Sequence, residues 1–135
     1  MIRSARPPPT PRFLSEMARA TGFPREVKEL VLVRSRGMCE VMAAPACAQF
    51  GSQFHHRRPR AMGGTRRPST NWASSALYVC GPCHAFIESR RLRALDAGWL
   101  VRQSSECVDV AVLWRGRPRF LTPDGGFQDV KKEAS

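Results

Sequence analysis

Four cysteines in two widely separated pairs, Cys39 with Cys47 and Cys80 with Cys83, constrain this chain more than any other feature. Cys80-Gly81-Pro82-Cys83 has the spacing that lets two thiolates meet one zinc ion while backbone N–H groups of the turn face the sulfurs. The same spacing serves redox pairs, but no strand–helix–strand pattern precedes it here. Cys39 and Cys47 enclose EVMAAPA, a loop longer than a standard knuckle, in which Pro45 and the small alanines permit a fold-back. Together the four match a structural zinc site with all-cysteine ligands, set against the plainer alternative of buried free thiols. Cys107 is left over and is expected to be an inert core thiol. A chain of 135 residues makes one domain with tails, a size at which a structural metal often supplements the core.

Charge narrows the partner. The formal net charge is +11, and every basic residue except Lys28, Lys131 and Lys132 is an arginine, the side chain that grips phosphate through two parallel N–H bonds. An arginine-favouring genome would explain the ratio but not the placement of the acids. Between Glu40 and Glu88 there is no Asp or Glu, and Arg57, Arg58, Arg60, Arg66 and Arg67 fall inside that gap. Such a stretch suits a polyanion such as double-stranded DNA. No apolar run is long enough to span a bilayer, and the N-terminus lacks the apolar stretch of a secretory signal, so a reducing cytoplasm and no membrane partner are expected.

The pattern divides the chain into a basic, proline-rich arm over 1–24, a main domain over 25–102, a β extension over 103–127 and a polar tail over 128–135. Within the arm, residues 13–20 have the composition of a short helix. A helix is predicted from Arg25 to Arg36, with Val27, Leu30, Val31 and Arg34 on one face and Gly37 as its C-cap. Apolar pieces at Phe50–His56 and Leu77–Val79 read as paired strands. Gly81-Pro82 opens a helix that breaks near Arg90 and ends at Gly98. Trp99–Arg102, Val108–Trp114 and Arg119–Thr122 read as short strands. Trp72, Trp99 and Trp114 are expected to anchor the core.

The chain has three histidines, His55, His56 and His84, all placed where the four-cysteine site would bring them together. The string His55-His56-Arg57-Arg58-Pro59-Arg60, through Gly63-Gly64, then Asn71, then Leu77-Tyr78-Val79-Cys80-Gly81-Pro82-Cys83-His84, resembles the HNH endonuclease motif. More narrowly, it is similar to small HNH proteins of bacteriophages of actinobacterial hosts. Arg36-Gly37-Met38-Cys39-Glu40 upstream, and Ala94 to Val101 and Leu121 to Gly126 downstream, extend the likeness over about residues 34–127.

The resemblance implies an α+β fold: a small ββα-metal (His-Me finger) domain, here with the four-cysteine zinc site and a short C-terminal β element. It implies a DNA endonuclease that leaves 5′-phosphate and 3′-hydroxyl ends. One catalytic divalent metal, Mg²⁺ or Mn²⁺/Ni²⁺, would be held by His55 and His84, with His56 as general base. The middle asparagine of the motif is filled by Asn71, or by Ser75, which stands nine residues before His84 where many relatives have it. The chemistry agrees with these roles: imidazole titrates near neutrality, and a metal supplies charge at the phosphate without a proton. Adjacent histidines on an extended strand point to opposite faces, so a local twist is needed for both to serve one site.

Arg57, Arg58, Arg60, Arg66 and Arg67 are the expected phosphate contacts, which give affinity and register rather than sequence choice. A phage setting beside the packaging machinery, with the terminase large subunit or portal as partner, is implied by the resemblance alone. Two other classes stay open at this point: a non-catalytic zinc-stabilised nucleic-acid-binding module, and an interaction protein docking on an acidic partner of the packaging machinery.

Overall fold

The computed structural model describes residues 22–59 and 67–130. They form a small mixed α+β domain with three α-helices and two small antiparallel sheets. The first helix, α1 (Arg25–Ser35), begins after Pro24, whose fixed φ suits a helix entrance, and stops where Arg36 and Gly37 both turn left-handed, at φ 56° and 77°. Its inward face carries Lys28, Val31, Arg34 and Ser35, whereas Leu30, expected there, is over a third exposed. Phe23 is fully buried, so the arm expected to run to residue 24 ends short of this residue. The helix expected over residues 13–20 lies outside the described residues.

Strand β1 (Gln53–His56) pairs with β2 (Ala76–Val79), placing His55 opposite Leu77 and His56 opposite Ala76. Two 3-10 turns, Pro68–Asn71 and Ala73–Ser75, lead into β2. Directly after it α2 (Gly81–Ser89) starts with Pro82 in its first turn, and Arg90, outside helical geometry, separates it from α3 (Arg91–Ala97). The second sheet has the order β3 (Val112–Trp114), β4 (Arg117–Leu121), β5 (Phe127–Asp129). β5 crosses the expected boundary between extension and tail; Arg117 and Arg119 on β4 hold its Asp129 by ion pairs at 3.1 and 3.2 Å.

Trp99–Arg102 is not a strand. Leu100 N–H bonds to Ala94 O and Val101 N–H to Arg57 O, which wraps the segment around the end of β1 instead of along a sheet partner. The reversal into it needs Gly98, at φ 76°, because a Cβ there would lie 2.0 Å from the Ala111 carbonyl oxygen. The main core gathers Leu77, Val79, Ile87, Trp99, Leu100 and Leu121 with three of the cysteines; a smaller one joins Phe23, Val31, Phe54, Ala73 and Ala76. Of the expected tryptophan anchors, Trp99 is buried and donates to Leu113 O, Trp114 is half-buried, and Trp72 is exposed. No helix of the described residues is long and apolar enough to cross a membrane.

Candidate functional site

The cysteine cluster is assembled by a loop closed at its base. Cys39 N–H donates to Gln49 O, Gly51 N–H to Gly37 O, and Met38 bridges Phe50, so the long Cys39–Cys47 interval starts and finishes at one point. Met42 and Gln49 take left-handed backbone angles, φ 47° and 69°, which non-glycine residues rarely adopt. Each turns its N–H onto a sulfur: Met42 N–H to Cys39 Sγ and Gln49 N–H to Cys47 Sγ, both at 3.4 Å. Cys83 N–H caps Cys80 Sγ in the same way at the start of α2.

The four sulfurs all lie within 4.8 Å of one another, and Cys47 and Cys80 stand 3.7 Å apart. A disulfide would need about 2 Å. A tetrahedral site with bonds of about 2.3 Å has edges of about 3.8 Å, so the donor set fits a zinc-like ion and could hold one. Burial pushes Cys83 up to about 12 and raises Cys47, whereas at Cys80 the hydrogen bonds from Ala48, Cys83 and the neighbouring thiols outweigh burial and bring it down to about 7. Cys107 is buried in a separate turn and is not among the clustered sulfurs.

A second cluster forms between β1 and α2. His55, His84 and Glu88 bring one donor atom each within 4.8 Å of the others. His84 sits in the first turn of α2 and Glu88 one turn later, so the helix pitch stacks them, with His84 Nε2 and Glu88 Oε1 3.8 Å apart. His55 reaches them from β1, its ring 5.3 Å from that of His84. Its Nε2 lies 2.7 Å from Trp99 O; with the proton on Nε2 it donates there, and Nδ1 is then the nitrogen with a lone pair. Burial, with the nearby charges of His84, His56 and Arg57 acting in the same direction, lowers His55 to about 4 against the opposing Trp99 carbonyl. The imidazole is therefore neutral at physiological pH, the form that ligates metal. Gln53 Oε1 accepts from His84 Nδ1, which orients that ring. Two imidazoles and a carboxylate fit a divalent ion with an open position.

His56 points the other way from the strand. It stacks on Phe23 with ring centroids 3.9 Å apart and planes at 13°, and its Nε2 lies 3.2 Å from Asn71 Oδ1. Asn71 can only accept through that oxygen, so Nε2 carries the proton and Nδ1 is the basic nitrogen. Ser75, the other candidate for the middle position, donates its hydroxyl to Ser69 O at 2.5 Å and accepts Arg57 N–H on its carbonyl. Compared with known proteins, the chain matches no family model, no curated protein and no solved structure.

Two of the expected phosphate contacts are corrected. Arg57 is wholly buried, and its guanidinium donates to the carbonyls of Gly98, Ser74, Cys107 and Val110. Burial lowers it to about 10, which still leaves it charged. Arg58, 1% exposed, donates to Ser105 O, Ser69 Oγ and Thr70 Oγ1 and pairs with Glu106 at 3.2 Å. Both are struts that tie the end of β1 to the turns around it. Arg67 is half exposed and bonds Gln103 O and Glu106. Arg60 and Arg66 lie outside the described residues.

Glu88 is the site residue that sequence reasoning missed. The signal was available: it stands four residues after His84 on a predicted helix, one turn along the same face, and is the first acid after a long gap.

Proposed function

We propose that the chain is a metal-dependent DNA endonuclease of the HNH type, built on a ββα-metal unit and braced by a structural zinc at Cys39, Cys47, Cys80 and Cys83. The observation that carries this is the arrangement of the three histidines. Two of them form a cluster with Glu88 that fits a divalent ion, and the third, one residue along the same strand, is held in one tautomer by Asn71. Neither a scaffold nor a docking surface requires that arrangement. The order strand, loop, strand, helix, with His55 and His56 on the first strand and His84 opening the helix, supports the same reading.

A divalent ion held by His55, His84 and Glu88 would supply positive charge at the scissile phosphate. The residues of the chain do the rest. In this reading His56 is the general base: Asn71 accepts from Nε2–H, which makes Nδ1 the nitrogen that would take the proton of the attacking water. Phe23 fixes the plane of the ring. Trp99, through its carbonyl, sets the ring of His55 and raises its basicity as an outer partner of a ligand does. A phage packaging role, with the terminase large subunit or portal as partner, enters this proposal only through the resemblance of the motif.

The test is cleavage of supercoiled plasmid by zinc-loaded protein with Mg²⁺, Mn²⁺ or Ni²⁺ added, beside His56→Ala. Nicking or linearisation that needs the second metal and is lost in His56→Ala is the expected result. Intact folding and DNA binding without cleavage by any metal would leave a zinc-stabilised nucleic-acid-binding module in its place.

A further inference from the structure

With Arg57 and Arg58 buried, a substrate strand needs other cations beside the metal cluster. Several arginines among the described residues are engaged elsewhere: Arg25 with Glu29, Arg117 and Arg119 with Asp129, Arg67 with Glu106, and Arg90 and Arg93 over the Phe86 ring. Arg91 and Arg102 differ. Together with Leu95, Leu100, Val101, Gln103 and Pro59 they line one groove between α3 and the Trp99–Gln103 segment. The Arg102 side chain has no hydrogen-bond or ion-pair partner among the described residues, and both arginines are exposed.

Two links join this groove to the candidate site. Arg91 lies 3.7 Å from Glu88, and Leu100 directly follows Trp99, whose carbonyl faces His55 Nε2. Pro59 comes three residues after His56, and Gln103 donates to its carbonyl, which ties the end of the groove to the histidine strand. An apolar lining with two arginines suits a sugar-phosphate backbone: deoxyribose packs on the apolar side chains while each guanidinium meets a phosphate oxygen pair.

We propose that this groove is the track for the DNA strand flanking the cleaved bond, with Arg91 and Arg102 each holding one phosphate. The proposal rests on the nuclease reading and adds where its substrate lies. The test uses full-length zinc-loaded protein carrying His56→Ala, a labelled duplex and a salt series read by fluorescence anisotropy. Arg91→Gln and Arg102→Gln should each reduce the slope of log affinity against log salt by about 0.9, and the double variant by about twice that. Affinity at low salt should fall roughly tenfold in the double variant, and Arg117→Gln, on the second sheet, should match the parent. Wild-type protein that cleaves plasmid and a His56→Ala parent that binds duplex with salt-dependent affinity, beside a double variant of unchanged slope, overturn the groove alone. A parent that shows no salt-dependent duplex binding overturns both the groove and the nuclease reading.

Discussion

Arg34 and Glu40 form a two-point ion pair, Nε to Oε2 at 2.7 Å and Nη2 to Oε1 at 2.9 Å, with both side chains shut off from solvent. Burying two charges is costly unless the remaining donors and acceptors are also met. Here they are: Arg34 donates to the carbonyls of Ala73 and Ala76, and Glu40 accepts from Tyr78 N–H and Trp114 Nε1. One pair therefore joins α1, the cysteine loop, β2 and β3. Removing one partner strands the other charge, so Glu40→Gln should cost about 3–5 kcal/mol in urea unfolding of the zinc-loaded protein. The Arg34→Met, Glu40→Leu double variant should lose less than the single one. Equal or greater loss in the double variant would show that the pair itself, rather than the stranded charge, dominates.

Zinc removal separates the fifth cysteine from the other four. The loaded protein should contain one structural zinc per chain, lost in Cys80→Ser and kept in Cys107→Ala. Because a structural zinc is part of the folding free energy, Cys80→Ser and chelated wild type should unfold at markedly lower denaturant, while Cys107→Ala shifts only by the cost of a small buried side chain. Zinc content by mass spectrometry under native conditions, read beside the unfolding midpoint, decides it. Loss of the metal in Cys107→Ala would refute the assignment.

The histidines and the cysteines were legible in the sequence because metal donors are few and their spacing is chemical. The helix break at Arg90 and the opening of α2 at Gly81-Pro82 were legible because proline and local periodicity act over a few residues. The fate of Arg57 and Arg58 was not. A run of arginines without acids reads as a phosphate surface, yet these two lie where β1 ends against turns whose carbonyls accept from their guanidinium groups. Four main-chain oxygens from Gly98, Ser74, Cys107 and Val110 converge on Arg57 from distant parts of the sequence. No local pattern announces such convergence. The Trp99–Arg102 segment failed as a strand for the same reason, its partners being set by tertiary contacts.

Arg57 should accordingly behave as a structural residue. Arg57→Met removes the donor of the Gly98, Ser74 and Val110 carbonyls, while Cys107 O keeps Val110 N–H, so about 3 kcal/mol or more of stability should be lost. Where enough folded protein remains, the salt slope of DNA binding should be that of the wild type, in contrast to Arg91→Gln. A stable Arg57→Met protein with a reduced slope would restore it as a phosphate contact.

Asn71 and Ser75 should separate by kinetics. Asn71→Ala frees the His56 ring to rotate and to take the other tautomer, so single-turnover cleavage should slow about 10–100-fold with duplex affinity unchanged. Ser75→Ala removes a hydroxyl bonded only to Ser69 O, and its main effect should be on unfolding. A rate loss confined to Ser75→Ala would reassign the middle position of the motif.

The burial of His55 makes stability depend on acid in a defined window. Its folded value of about 4 lies below the ordinary 6.5, with burial the chief cause. Between those values the unfolded chain binds the proton and the folded one does not, so stability rises with pH across the window. The contribution is fully present above about 6.5, is lost as pH falls towards 4, and changes no further below that. The shift corresponds to at most about 3 kcal/mol, since a pKa unit is worth about 1.4 kcal/mol. Zinc release from the thiolates also weakens the protein in acid, so the measurement is a difference: urea unfolding of wild type and His55→Gln at matched pH values without added divalent metal. The gap between the two should change by up to that amount between pH 6.5 and 4. A gap constant with pH would mean that His55 titrates normally in the folded protein and is not held as a neutral ligand.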